Sequence, residues 1–231
     1  MIDAISVLTC PFWLNPNDPP LSPRLKATLE NLDRAGADRA SDKVVFCDGP
    51  FPPDPIKAST EGRPWRVVSN DKGPSGTTGG FWTVFEAMSG VCDRLMFFED
   101  DVFVCKGTIK RMQDIGDLGL ALVRYYDTAE WPAGTPSGIY ESPGNGRCPL
   151  GLIGLQGVLI PSRTLALLAA NGPKSRQSTR PADLVLGDIL HAHGLRVATH
   201  LPSLVQHEGV ISRTGAGPHT ALNFAGYDYE A

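Results

Sequence analysis

Residues 94–104 read RLMFFEDDVFV: an apolar run meets Glu99, Asp100 and Asp101 and then turns apolar again. Such a run suits a strand buried on both faces, as in a parallel sheet covered by helices. Adjacent carboxylates repel, and an ordinary turn needs only one Asp, Asn or Gly. Three acids in succession are accounted for if a positive ligand sits at the strand end, and open α/β sheets bind ligands outside the carboxyl ends of their strands. Mg2+ and Mn2+ take hard oxygen ligands, usually one or two carboxylates together with substrate phosphates. Alternation along an extended chain predicts Glu99 and Asp101 on one side and Asp100 on the other. The competing reading is a solvated acidic turn.

The flanking sequence keeps an α/β rhythm. AISVLTCPF (4–12) predicts a first strand broken by Pro11, and SPRLKATLENLDRAG (22–36) a helix with Leu25, Leu29 and Leu32 on one face. DKVVFCDGP (42–50) and PWRVVSND (64–71) predict the second and third strands, KGPSGTTGG (72–80) a loop, and FWTVFEAMSG (81–90) a helix. Past the acids, 118–127 reads as a strand and 128–149 as a long Gly- and Pro-rich loop, a candidate for the acceptor side. Strand, turn and helix follow over 154–172, a basic loop over 174–181, a helix over 182–194, and a strand running into a loop over 195–209. The order predicts one α/β domain over 1–231, with a mostly parallel sheet flanked by helices.

Composition narrows the functional classes. A formal net charge of −4 gives no global basic footprint for nucleic acid. No run of about 18 apolar residues predicts a membrane span, and MIDAISVLTCPFW has no basic region of the kind that opens a secretory signal. The five cysteines show no CxxC spacing, which predicts reduced thiols and a cytoplasmic protein.

A second segment adds chemistry. LPSLVQHEGVISRTG (201–215) sets His207 after an apolar run, followed by Ser212 and Arg213. Imidazole supplies a metal ligand, while Ser and Arg suit phosphate oxygens. A loop histidine without a ligand is the plainer alternative. At LMFFEDDV and PSLVQHEGVISRTG the chain resembles glycosyltransferases of the GT-A fold. The first resembles their DxD motif in the EDD form of the N-acetylglucosaminyltransferases that build N-glycan branches. The second resembles the C-terminal segment of those enzymes and of related bacterial ones, although Glu208 stands where an apolar residue is common.

The resemblance implies a GT-A (Rossmann-like) domain with a nucleotide-sugar-binding half over 1–105 and an acceptor-side half over 106–231. It implies a divalent metal, Mn2+ or Mg2+, held by Asp101 and His207, with Glu99 reaching the ribose or a metal-bound water. Thr9, Cys10, Pro11, Asp48 and Asp100 would belong to the nucleotide-sugar pocket, of which a UDP-sugar is the favoured occupant. Asp48 has a second reading as a turn residue before Gly49. Cleaving a sugar–diphosphate bond leaves negative charge on the leaving phosphate, which a cation and a nearby Arg or Lys neutralise; Arg213 and then Lys72 are the candidates.

An inverting transfer needs a base for the acceptor hydroxyl. Asp183 and, less well placed, Asp188 are the acids on the 182–194 helix, and Asp183 competes with a first-turn role. A retaining transfer would need no such base. Lys174, Arg176 and Arg180 read as a solvated loop or a clamp on an anionic acceptor, so a bacterial or phage glycan or hydroxymethylated DNA stays open as acceptor. Trp131, Tyr140 and Trp82 are candidates to stack on sugar rings, with core packing the stronger role for Trp82. Two other classes stay open: a nucleotidyltransferase, disfavoured because Thr9-Cys10-Pro11-Phe12 stands where a Gly-rich loop is expected, and a non-catalytic nucleotide-sugar-binding module.

Overall fold

The computed structural model describes residues 1–9, 22–49, 53–70, 75–142, 150, 154–207 and 220–230. From the N-terminus run β1 (Asp3–Thr9), α1 (Ser22–Arg34), β2 (Asp42–Cys47), α2 (Pro53–Thr60), β3 (Arg66–Ser69), α3 (Gly76–Met88), β4 (Arg94–Glu99) and β5 (Val102–Val104). There follow α4 (Thr108–Asp114), β6 (Leu122–Arg124), β7 (Gly138–Glu141), β8 (Gly157–Pro161), α5 (Ser162–Ser175), α6 (Ala182–Ala192), β9 (Val197–Leu201) and β10 (Val205–His207).

The main sheet has the order β3-β2-β1-β4-β8-β6-β9-β7. β3, β2, β1 and β4 are mutually parallel, β8 opposes both β4 and β6, β9 runs with β6, and β7 opposes β9. Only β8 and β7 therefore run against the rest, and the mostly parallel α/β sheet expected from the sequence is the one found. β1 is buried along its whole length, as a central strand covered on both faces must be.

Alternation divides the core in two. Leu8, Phe46, Leu95, Phe97, Val158 and Ile160 pack with residues of α3, α5 and α6 on one face. Val7, Val45, Met96, Phe98, Val123 and Leu159 pack with residues of α1, α2 and α4 on the other. Trp82 is fully buried on the first face, its indole N–H donating to the Leu168 carbonyl at 3.0 Å. That places it in the core and ends its reading as a sugar-stacking ring.

Several elements depart from the sequence reading. α3 begins at Gly76, inside the stretch read as a loop. Its glycines serve close approach rather than a turn: a Cβ on Gly79 would lie 2.5 Å from Ser75 Cβ, and one on Gly80 3.1 Å from Asp48 Oδ2. β7 lies within the segment expected to be a loop, and α2, β5 and α4 are short elements with too few residues to show a period. Among the described residues no helix is long and apolar enough to cross a membrane.

Cys47, Cys92 and Cys105 are buried free thiols; Cys10 and Cys148 lie outside the described residues. Burial raises their pKa values to about 12, about 11 and about 12, with the charge of Asp100 adding at Cys47 and that of Asp93 at Cys92. A thiol whose folded pKa is raised contributes stability that is complete below the unfolded value of about 8.5 and lost as pH rises through the folded one. We expect the unfolding free energy to fall between about pH 9 and 12. Iodoacetamide at pH 8 should leave these three cysteines unmodified in the native protein and alkylate them in urea, read by peptide mapping; native alkylation at the urea rate would contradict the burial.

Candidate functional site

The order β2-β1-β4 sets the carboxyl ends of those strands side by side, with Thr9 paired to Cys47 and Leu8 to Glu99. β4 stops at Glu99, and Asp100 and Asp101 form the turn into β5. The turn parts the acids. Asp100 is buried and accepts a hydrogen bond of 2.5 Å from the Thr9 hydroxyl, the length of a charge-assisted O–H···O− bond. Asp101 faces His207, its Oδ2 lying 3.2 Å from Nε2. Glu99 stays half-buried at the strand end. Burial first, and then the charges of Glu99, Asp127 and Asp101, push the Tyr126 phenol above its ordinary range.

Two side elements fix this turn. β5 pairs antiparallel with β10, and the register His207 opposite Val102 delivers the imidazole next to Asp101. From α1, the Thr28 hydroxyl donates to the Asp100 carbonyl at 2.9 Å, and Asn31 Oδ1 accepts from the Val104 N–H. Sequence reasoning missed both residues. Their signal was present in two polar side chains among Leu25, Leu29 and Leu32 on the buried side of the helix.

Asp48, which the resemblance puts in the nucleotide-sugar pocket, is buried with internal partners. Its carboxylate accepts from the Ser75 N–H at 3.1 Å, the Ser75 hydroxyl at 2.6 Å and Asn70 Nδ2 at 3.0 Å. A carboxylate at the N-terminus of α3 also suits the helix dipole. Its observed role is to tie β2 to α3. Thr9, expected to line the pocket, is likewise fully buried and holds Asp100.

Asp183 lies in the first turn of α6, half-buried. Its Oδ2 accepts from the Gly154 N–H at 2.8 Å and its Oδ1 from the Leu184 N–H at 2.9 Å. Both oxygens keep a lone pair for a further proton. Asp188 instead forms an exposed ion pair with Arg180 at 2.5 Å. The basic stretch changes meaning too. Arg176 faces Glu86 and Arg180 faces Asp188, so two of its three cations already meet carboxylates brought in by the fold. Trp131 donates its indole N–H to Asp127 Oδ2 at 2.8 Å and lies 5.6 Å from the Tyr140 ring. Asp127, which sequence reasoning passed over, is buried between Trp131 and Arg124.

Cys10, Pro11, Lys72, Ser212 and Arg213 lie outside the described residues. A cavity of about 460 Å3, lined by Arg111, Asp114, Leu118, Ile139, Glu141 and Arg196 among others, contains none of the candidate residues. For a cation, carboxylate oxygen and imidazole nitrogen at Asp101 and His207 are a fitting donor pair. Among the described residues no group of three His, Cys, Asp or Glu side chains forms a protein-only cage; Mg2+ sites usually keep positions for phosphate oxygens and water.

No family model matches the chain, and no curated protein is similar to it in sequence. Solved structures are similar in fold. A nucleotidyl transferase from Methanothermobacter aligns with a TM-score of 0.55 at 14% identity, covering 87% of this chain and 88% of that one. The galactosyltransferase LgtC, in complex with donor and acceptor sugar analogs, aligns at 0.52 and 12%, covering 85% and 72%. S. aureus TarS aligns at 0.55 and 14%, covering 86% and 58%. At such identities the likeness establishes the fold, which is a GT-A-like single α/β domain.

The Thr9–Asp100 bond makes a direct prediction. Thr9→Val leaves a buried carboxylate short of a donor and should lower stability by about 1–3 kcal/mol, whereas Thr9→Ser should recover most of it. Urea unfolding of both variants measures this; equal stability of Thr9→Val and wild type would contradict it.

Proposed function

We propose that the chain is a metal-dependent glycosyltransferase that moves a sugar from a nucleoside diphosphate to a hydroxyl acceptor with inversion. The observation that carries this is the 3.2 Å approach of Asp101 and His207 at the carboxyl edge of a GT-A-like sheet. In this reading Asp101 and His207 hold Mn2+ or Mg2+, which when bound neutralises charge on the leaving diphosphate. Glu99, half-exposed beside them, takes the ribose or a water. Thr9, Asp100, Thr28 and Asn31 keep the acid turn in place, and Asp48 keeps β2 and α3 together. Arg213, Ser212 and Lys72 are proposed for the phosphates. Asp183 accepts the proton of the acceptor hydroxyl, oriented by its bonds from the Gly154 and Leu184 N–H groups. The first 105 residues form the nucleotide-sugar-binding half and the remainder the acceptor-side half, which also lends His207, Ser212 and Arg213 to the donor, with Trp131 and Tyr140 offering aromatic faces.

A UDP-sugar is the favoured donor, and a bacterial or phage glycan or hydroxymethylated DNA the proposed acceptor. With Arg176 and Arg180 facing Glu86 and Asp188, attraction of an anionic acceptor there is weakened. A nucleotidyltransferase is the second reading. The Methanothermobacter enzyme and the 4-diphosphocytidyl-2C-methyl-D-erythritol synthase from Anaerococcus prevotii favour it by matching across 88% of their own lengths.

Product analysis separates the two: a glycosyltransferase releases nucleoside diphosphate from a nucleotide-sugar, a nucleotidyltransferase pyrophosphate from a nucleoside triphosphate. With Mn2+ and a panel of nucleotide-sugars we expect diphosphate release that EDTA abolishes. Asp101→Asn should lower it by at least about 100-fold. Asp183→Asn should lower transfer by about 10²–10⁴-fold while donor affinity stays within about twofold. Turnover that survives chelation and Asp101→Asn rejects the metal role; pyrophosphate release selects the second reading.

A further inference from the structure

We infer that Gln156 contacts the sugar ring of the donor and discriminates between sugars, an inference that rests on the glycosyltransferase reading above. Gln156 directly precedes β8, and Gly157 is paired with Phe98 in an antiparallel ladder. Continuing that register by one residue sets Gln156 opposite Glu99. Directly opposed residues in an antiparallel pair project to one face. The preceding pairs on that face, Leu95 with Ile160 and Phe97 with Val158, lie in the core shared with α3, α5 and α6. Gln156 thus belongs to the face that carries Asp183 on α6.

The side chain lies close to both neighbours of interest. A Cβ built on Gly154 would lie 2.1 Å from Gln156 Oε1 and 3.3 Å from Tyr126 Cε1. The carboxamide is therefore seated against Gly154, whose N–H is held by Asp183, and near the tyrosine whose phenol feels Glu99 and Asp101. Gln156 is 5% exposed, and its Oε1 has no hydrogen-bond partner among the described residues. Buried amides are almost always satisfied, by protein or by ordered water, and a ligand group arriving at this edge of the sheet would complete this one.

The surroundings select the chemistry of that group. Glu99 and Asp183 bring carboxylates, which repel anions; the neutral amide between them offers one acceptor and one donor group. A sugar hydroxyl both donates and accepts, and it fits either orientation of the amide. In the proposed transfer the sugar must lie between the diphosphate near Asp101 and the base Asp183, the interval that Gln156 occupies. Discrimination follows because a site that bonds a particular hydroxyl rejects an epimer that leaves the amide unpaired.

Calorimetry with Mn2+ on wild type, Gln156→Ala and Gln156→Asn, using UDP, GDP, CDP and dTDP and their available hexose conjugates, tests this. For the diphosphate that wild type binds, all proteins should match within about twofold. The added affinity of the hexose conjugate, and the preference between glucose and galactose epimers, should fall at least tenfold in Gln156→Ala. Gln156→Asn, which keeps the amide but shortens its reach, covers the case in which Gln156→Ala does not fold, and should lose the epimer preference alone. Unchanged conjugate affinity and epimer ranking, with diphosphate binding intact, would overturn the role of Gln156 and leave the nucleotide site standing. Failure of wild type to bind any of these nucleotides would instead overturn the reading beneath it, and this inference with it.

Discussion

Three consecutive carboxylates at the end of a buried strand form the constraint around which this fold is organised. Two unit charges about 4 Å apart repel by about 4 kcal/mol at the effective dielectric of a protein surface, so the trio persists only if each acid is handled separately. The turn after β4 achieves this. Asp100 goes inward to the Thr9 hydroxyl, Asp101 goes sideways to His207, and Glu99 remains half-buried at the strand end. A helix and a strand pairing hold the arrangement: Thr28 and Asn31 of α1 take the backbone of the turn and of β5 from one side, and β10 pairs antiparallel with β5 from the other.

The remaining candidate residues extend from that turn along the same edge of the sheet. β8 runs antiparallel beside β4, so its beginning, and not its end, meets the acids, and this brings Gln156 and Gly154 to the carboxyl edge. Gly154 in turn ties Asp183, and with it the start of α6, to the edge. Gly157 permits β10 to approach, since a Cβ there would lie 2.7 Å from Val205 Cγ2. Backbone geometry at a few small residues thus fixes the spacing between Asp101 and His207, the pair proposed for the cation, on one side and Asp183, the proposed proton acceptor, on the other.

Much of the framework was legible in the sequence because it rests on local patterns. The apolar run before Glu99, the Leu25-Leu29-Leu32 spacing and the strand-like 42–47 and 195–201 stretches each announce an element without help from the rest of the chain. What stayed hidden depends on contacts between distant residues. Thr28 and Asn31 read as ordinary polar positions until β5 is set against them. Gly79 and Gly80 signal a loop by composition, yet they are there so that Ser75 and Asp48 can approach a helix. Arg176 and Arg180 look like a free basic patch until Glu86 and Asp188 arrive from elsewhere in the fold. Asp48 beside Gly49 has the sequence of a turn, and only the position of α3 gives its carboxylate a task.

The account depends on a divalent cation being seated by Asp101 and His207 where the acid turn meets β10. Crystals grown with Mn2+ and a nucleoside diphosphate, measured at the manganese absorption edge, address this directly. The account predicts an anomalous peak within bonding distance of Asp101 and His207 and next to the diphosphate. Nucleotide density at the carboxyl edge with no manganese peak beside those two side chains, or a peak bound elsewhere on the molecule, would contradict it.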